Sequence, residues 1–85
     1  MKVSIIIPTF NNLEYLIFFL SSIEKNSKYN HEVILHINDG TDGTLDYVKN
    51  KLMKYTHSFK NIGLCSSLNT AAKLSTTNYI LYAHD

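Results

Sequence analysis

The stretch VILHINDGTDGT at residues 33–44 decides the fold: a largely apolar run ends abruptly in two carboxylates, Asp39 and Asp42, set among Gly40 and Gly43. A short apolar run bounded by turn residues reads as a strand buried on both faces, the kind found in parallel sheets. Small residues at its end let the backbone turn sharply and let a ligand come close. The carboxylates then offer acceptors to a sugar, a base or a metal at the carboxyl end of the strand. Asp39 has that functional reading and a plainer one as a turn residue, since aspartate, glycine and threonine favour turns and caps. For Asp42 the cap reading is preferred.

Outward from this stretch, the hydrophobic period switches regularly between two and 3.6. Residues 3–7, VSIII, form a run before Pro8 and predict another buried strand. Asn11 or Asn12 then caps a helix whose Leu13, Leu16, Ile17 and Leu20 share one face, with Ile23 continuing the stripe and Tyr15, Phe18 and Phe19 widening it. Polar residues 25–31 predict a loop. Leu45, Val48 and Leu52 carry a second amphipathic helix, capped by Thr41 or Asp42. The more polar residues 55–59 suit an edge strand. Leu64, Leu68, Ala71 and Ala72 mark one face of a third helix, and residues 79–83 form a fourth strand. The order βαβαβαβ predicts an α/β, Rossmann-like parallel sheet with helices on both faces and right-handed crossovers.

Composition narrows the function classes. Eighty-five residues accommodate one small domain, near the size at which only roughly 60% of the unfolded surface is buried. A net charge of +1 with scattered lysines, and no finger spacing or aromatic RNA-binding run, excludes nucleic acid as the expected partner. Cys65 is alone, which fits a reducing compartment, and the start lacks a secretory pattern. The longest helical apolar run, residues 16–20, is far short of the roughly 18 residues of a membrane span. The expected location is cytoplasmic, with membrane association through further chain as the variant. The run ending at His84 and Asp85 reads as stopping early.

In such sheets ligands bind outside the carboxyl ends of the strands, where strand order reverses. Three strand ends carry unusual polar sequences: residues 8–12 (PTFNN), residues 38–44 (NDGTDGT) and His84-Asp85. PTFNN has no glycine, so a dinucleotide fold lacks its pyrophosphate turn, and the Walker pattern is absent as well.

Taken in order, SIIIPTFN at residues 4–11, NDGTDGT at 38–44, Asn61-Ile62-Gly63, Asn69 and YILYAHD at 79–85 resemble the successive motifs of family-two glycosyltransferases with the GT-A fold. The match runs along the whole chain. The resemblance implies that residues 1–85 are the N-terminal, nucleotide-sugar-binding part of a GT-A domain whose acceptor half lies beyond. It implies an inverting enzyme that moves a sugar, of hexosyltransferase type, from a UDP or dTDP donor to a hydroxyl on a carbohydrate, lipid-linked or protein acceptor, as in polysaccharide biosynthesis. It also implies a divalent metal, Mn or Mg, in the full-length enzyme.

The residues carried over as nucleotide-sugar-binding are Pro8, Thr9, Asn11, Asp39, Gly63, Asn69 and Asp85. Backbone around Pro8 and Thr9 lines the base pocket. Asp39 accepts the ring N–H of uracil or thymine, a role that suits an acceptor-only carboxylate. Asp85 falls in the Asp-X-Asp-like motif on the ribose side, with metal ligation as its second role and the main ligand just past residue 85. No catalytic base is present among the 85 residues, so they are expected to be inactive alone and to self-associate through the open edge of the fourth strand. Three positions depart from the family pattern: Asn38 replaces a common Asp, the loop at residues 40–42 is one residue short, and Leu68 replaces a frequent arginine. These bear on donor identity more than on fold.

The remaining conspicuous residues have structural readings. His84 is a packing residue, because hard cations prefer oxygen. His31, His36 and His57 lack paired metal spacing. Cys65 is read as a small buried hydrophobe, and Asn61 with Gly63 as a turn. A non-catalytic nucleotide-binding module is the alternative function; a nucleotidyltransferase is disfavoured because PTFNN stands where a glycine-rich basic loop belongs.

Overall fold

The computed structural model describes residues 3–26 and 31–83. His84 and Asp85, and with them the chain's proposed ribose and metal carboxylate, lie outside the described residues, as does most of the polar loop after the first helix. The elements are β1 (Val3–Phe10), α1 (Leu13–Asn26), β2 (His31–Asn38), α2 (Thr44–Asn50), β3 (Lys54–Ser58), α3 (Leu64–Ala72) and β4 (Tyr79–Tyr82). All three strand pairings are parallel and the order is β3-β2-β1-β4. The chain therefore winds outward from β1 through β2 to β3 and returns across the sheet to β4. The order reverses between β1 and β4.

Period-two alternation in β1 and β2 builds two cores. Ile5, Ile7, Leu35 and Ile37 face one way and pack against Leu16 of α1 and Val48 of α2. Ile6 and Ile34 face the other way and meet Ala71 and Leu68 of α3. The expected helices on both faces follow from this alternation. β1 runs three residues past its predicted end, to Phe10, and β2 runs to Asn38, carrying the polar motifs onto the sheet's carboxyl edge.

Several expectations are corrected. Tyr15 and Phe18 do not widen the buried face of α1: Phe18 is 72% exposed. With Ile5, Phe19, Ile23 and His31 these rings instead line an open groove of about 440 Å³ beside the sheet. Leu52 is outside α2, in a left-handed turn with φ 56°, and is almost wholly exposed, because α2 stops at Asn50. Leu64 is exposed and its place in the α3 stripe is taken by Ser67, which is fully buried. Cys65 is exposed rather than buried, since it sits in the first turn of α3 on the side away from the sheet. β4 presents all four residues to solvent, so the sheet has an apolar edge there.

The helix starts also differ. Gly43, not Thr41 or Asp42, is the N-cap of α2. Asp42 works from one position earlier: Oδ1 accepts the Thr44 hydroxyl at 2.6 Å and the Thr44 N–H at 3.1 Å. Its other oxygen, Oδ2, accepts the Leu13 N–H of α1 at 3.1 Å. Burial pushes the Asp42 carboxyl up, but these bonds from Thr44 and Leu13 outweigh it and hold it below the usual value.

Opposite the carboxyl edge, the buried Glu32 fastens the α3–β4 connection to the sheet. Its carboxylate accepts from Lys54 Nζ at 2.6 Å, Thr76 Oγ1 at 2.7 Å, Thr76 N–H at 2.9 Å and Ser4 Oγ at 2.9 Å. The Lys54 ammonium, with the Thr76 donors, keeps Glu32 ionised far below the ordinary carboxylate range.

Candidate functional site

The polar ends of β1 and β2 come together because the two strands pair in register up to Phe10 and Asn38. Asn11 and Asp39 follow immediately, both in left-handed backbone at φ 46° and 66°. That conformation costs an L-residue roughly 1–2 kcal/mol and is tolerated best by Asn and Asp, whose short side chains bond locally. Here the bonds cross between the two turns. Asn11 Nδ2 donates to Asp39 Oδ2 at 3.0 Å, and Asn11 Oδ1 accepts the Gly40 N–H at 2.9 Å. Gly40 must be glycine: at φ 83° a Cβ would lie 2.7 Å from Ile37 Cγ2.

β3 holds the same turn from its far side. The Asp39 N–H donates to the Ser58 carbonyl at 2.8 Å. His57 Nε2 lies 2.8 Å from the Asp39 carbonyl, and since a carbonyl only accepts, Nε2 carries the proton. The His57 ring stands edge-on to Phe59, with centroids 4.9 Å apart.

On the α3 side of the sheet, Asn38 is the buried hub. Its Nδ2 donates to the Thr9 carbonyl at 3.3 Å and to Ser67 Oγ at 3.0 Å, and its Oδ1 accepts the Ile62 N–H at 3.0 Å. One side chain therefore ties β1, α3 and the loop after β3 together. An asparagine suits this place and an aspartate would not, because a carboxylate has no donor for the Thr9 carbonyl. Beyond it, His36 contacts Thr56 Oγ1 at 2.7 Å and Ser58 Oγ at 3.0 Å. Burial pushes the His36 imidazole down, with the charge of His57 adding to the effect.

Pro8, Thr9, Phe10, Asn38, Asn61, Gly63, Leu64 and Ser67 line a cleft of about 160 Å³ at this edge. The volume is below the roughly 300 Å³ at which drug-sized ligand pockets begin, so it can seat only part of a nucleotide sugar. Gly63, at φ 87°, has open space around it, and its N–H is held by Asn61 Oδ1 at 2.9 Å in the expected turn. The structure thus brings Pro8, Thr9 and Gly63 together in the cleft and places Asn11 with Asp39 in the adjoining turn. Asn69 is exposed on α3 and is not part of the lining. Asn38, Phe10, Leu64 and Ser67 were not named as site residues. Strand parity carries the signal for Asn38: it shares the face of Pro8, Ile34 and His36, opposite to Asp39.

No group of three or more metal-ligating His, Cys, Asp or Glu forms among the described residues. The Asp42 carboxylate is spent on helix starts and Asp39 is engaged by Asn11, so the described residues do not fit a divalent cation by themselves.

A parallel sheet whose order reverses beside a cleft of polar strand ends, with helices on both faces, defines a Rossmann-like α/β domain with its ligand site at the carboxyl edge. The family model for glycosyl transferase family 2 matches residues 4–85, and the chain belongs to that family. It is 35% identical over 86 residues to an uncharacterized glycosyltransferase of Rickettsia bellii (strain RML369-C), covering 95% of this chain and 12% of that protein. The crystal structure of S. aureus TarS 1-349 superimposes with a TM-score of 0.85 at 27% identity, covering 99% of this chain and 27% of that one. A second S. aureus TarS crystal structure gives 0.76 at 26% identity, with 99% and 16% covered. The chain therefore spans only a fraction of the length of these relatives. Members of this family generally use a divalent metal.

Proposed function

We propose that the chain is the donor-binding segment, residues 1–85, of an inverting glycosyltransferase that moves a hexosyl unit from a UDP- or dTDP-sugar to a hydroxyl acceptor. The acceptor is a carbohydrate, a lipid-linked sugar or a protein, and polysaccharide biosynthesis is the setting. The observation that carries this reading is the latch of Asn11 on Asp39 and Gly40, which sets a carboxylate at the carboxyl edge beside the Pro8–Thr9 cleft.

In this reading the backbone of Pro8 and Thr9 lies against the base, and Asp39 accepts the ring N–H of uracil or thymine with lone pairs that Asn11 leaves unused. Asn11 orients that carboxylate, and Gly63 leaves room for the ligand at the start of α3. Asn69, exposed on α3 two residues after the buried Ser67, reaches the ligand from outside the cleft. Asp85 binds the ribose and is the chain's one candidate metal ligand. Mn or Mg, when bound, supplies charge neutralisation on the departing diphosphate. The work belongs to the cytoplasm, with membrane association through further chain.

Calorimetric titration of UDP, dTDP, CDP and ADP against the protein that carries this chain tests the reading. Tighter binding of the uracil and thymine nucleotides is expected; indifference to the base would overturn it. Selective binding with no sugar transfer by the whole protein would mark a non-catalytic nucleotide-binding module instead.

A further inference from the structure

The peptide joining Asp39 to Gly40 is pinned at both ends by side chains from two different strand ends. Its carbonyl accepts from His57 Nε2 at 2.8 Å, and its N–H donates to Asn11 Oδ1 at 2.9 Å. The preceding peptide is fixed through the Asp39 N–H on the Ser58 carbonyl. In left-handed backbone at φ 66°, the direction of the Asp39 side chain depends on how these two peptide planes are set. Asn11 and the Ser58 carbonyl hold two of the three polar groups, and His57 holds the third. The imidazole is itself braced by the Phe59 ring.

We propose that His57 is a positioning residue for base selection: by holding the Asp39 carbonyl, it keeps the 39–40 peptide from rotating and so aims the Asp39 carboxylate at the ring N–H of a uracil-type base. This inference rests on Asp39 reading the base. His57 touches no ligand in this scheme. Its effect passes through one hydrogen bond to the main chain of the residue that does. Loss of the donor leaves the carbonyl free to turn toward water, and the carboxylate then samples orientations in which the N–H of uracil and the lone pair of cytosine at the same ring position are less sharply distinguished.

The test is the ratio of UDP to CDP affinity, measured by calorimetry on the protein that carries this chain, for wild type, His57→Ala, His57→Gln and Asp39→Ala. Removing one hydrogen bond predicts that His57→Ala narrows the ratio by about three- to tenfold. His57→Gln, which keeps an N–H donor, is expected to restore most of it. A general loss of structure would weaken both nucleotides together, so the ratio separates positioning from folding. If His57→Ala fails to fold, His57→Leu keeps the volume without the donor and takes its place. An unchanged ratio in the donor-less variant, beside a collapsed ratio in Asp39→Ala, overturns the role of His57 and leaves the reading of Asp39 intact. An unchanged ratio in Asp39→Ala removes both.

Discussion

Asp42 accepts the backbone N–H of Leu13, 29 positions earlier in the chain, at 3.1 Å, so the start of α1 is capped by a carboxylate that lies outside its own sequence. The other oxygen of the same carboxylate serves Thr44 at the start of α2. One side chain closes two of the orphan donors that helix starts leave and sets a negative charge at the positive ends of both helices. Asp42→Ala is therefore expected to lower stability by about 1–2 kcal/mol. Urea denaturation reads this as a lower midpoint, and base selectivity in nucleotide titrations should be preserved, since the Asn11–Asp39 latch is untouched.

Asp39→Ala is expected to do the reverse. Removing the acceptor from a ligand N–H costs about 1–3 kcal/mol of binding, while the backbone bonds of residue 39 to Ser58 and His57 remain. UDP titration should show weakened affinity with an unchanged circular dichroism spectrum. Equal affinity in the two forms would remove Asp39 from the base pocket.

The parallel βαβαβαβ order was legible because the apolar runs of the two central strands carry the signature of strands buried on both faces. The latch of Asn11 on Asp39 was legible only as two interesting strand ends; that they bond follows from β1 and β2 being neighbours in register, which no local pattern states. The same holds for Asp42 and Leu13. Tyr15 and Phe18 misled because an aromatic on a helix looks like core until the width of the face that the sheet offers is known, and β4 leaves that side uncovered. Glu32 carries a signal of its own: a carboxylate at the start of a strand buried on both faces must find donors, and Lys54, Ser4 and Thr76 supply them.

Acid should destabilise the chain in two stages. Burial depresses His36, so below its ordinary value of 6.5 the unfolded chain takes up a proton that the folded one resists, and stability falls as pH falls. Glu32 is depressed as well, mainly by Lys54. Its contribution is complete above the ordinary value of 4.5 and is lost as pH drops from there toward the much lower folded value. Thermal melts between pH 8 and pH 3 should show a shallow decline and then a steeper one, and Glu32→Gln should flatten the second. A melting temperature independent of pH below 4.5 would contradict the pairing of the buried Glu32 with Lys54.

The open edge at β4 predicts self-association when residues 1–85 are made by themselves. Tyr79, Ile80, Leu81 and Tyr82 are each between 41% and 58% exposed, with main-chain groups unpaired on the outer side. Leu81 pairs with Ile5 on the face where the aromatic groove of α1 also lies open. Sedimentation should show species larger than a monomer that decrease on dilution, and Leu81→Lys should shift the population toward monomer. A clean monomer at high concentration would mean that the edge is protected.

Metal dependence supplies the last prediction. Residues 1–85 taken alone are expected to bind UDP weakly, to gain little from Mn or Mg, and to transfer no sugar. Such cations are commonly held by one or two carboxylates together with substrate phosphates and water. Among the described residues at the carboxyl edge, Asp42 has both oxygens on helix starts and Asp39 is latched by Asn11; Asp85 is the carboxylate that the family resemblance offers to the cation. Under the donor-binding proposal, a form extended beyond residue 85 toward the length of the relatives should recover metal-enhanced binding and turnover. UDP titrations with and without Mn on both forms, beside a donor-hydrolysis assay, make the comparison. Strong enhancement in the short form would mean that Asp39 or Asp42 leaves its partner to join Asp85 on the cation. Asp42 could do so only by uncapping both α1 and α2, so its recruitment would be visible as a lower unfolding midpoint in the metal-bound form than in one where Asp39 is the ligand.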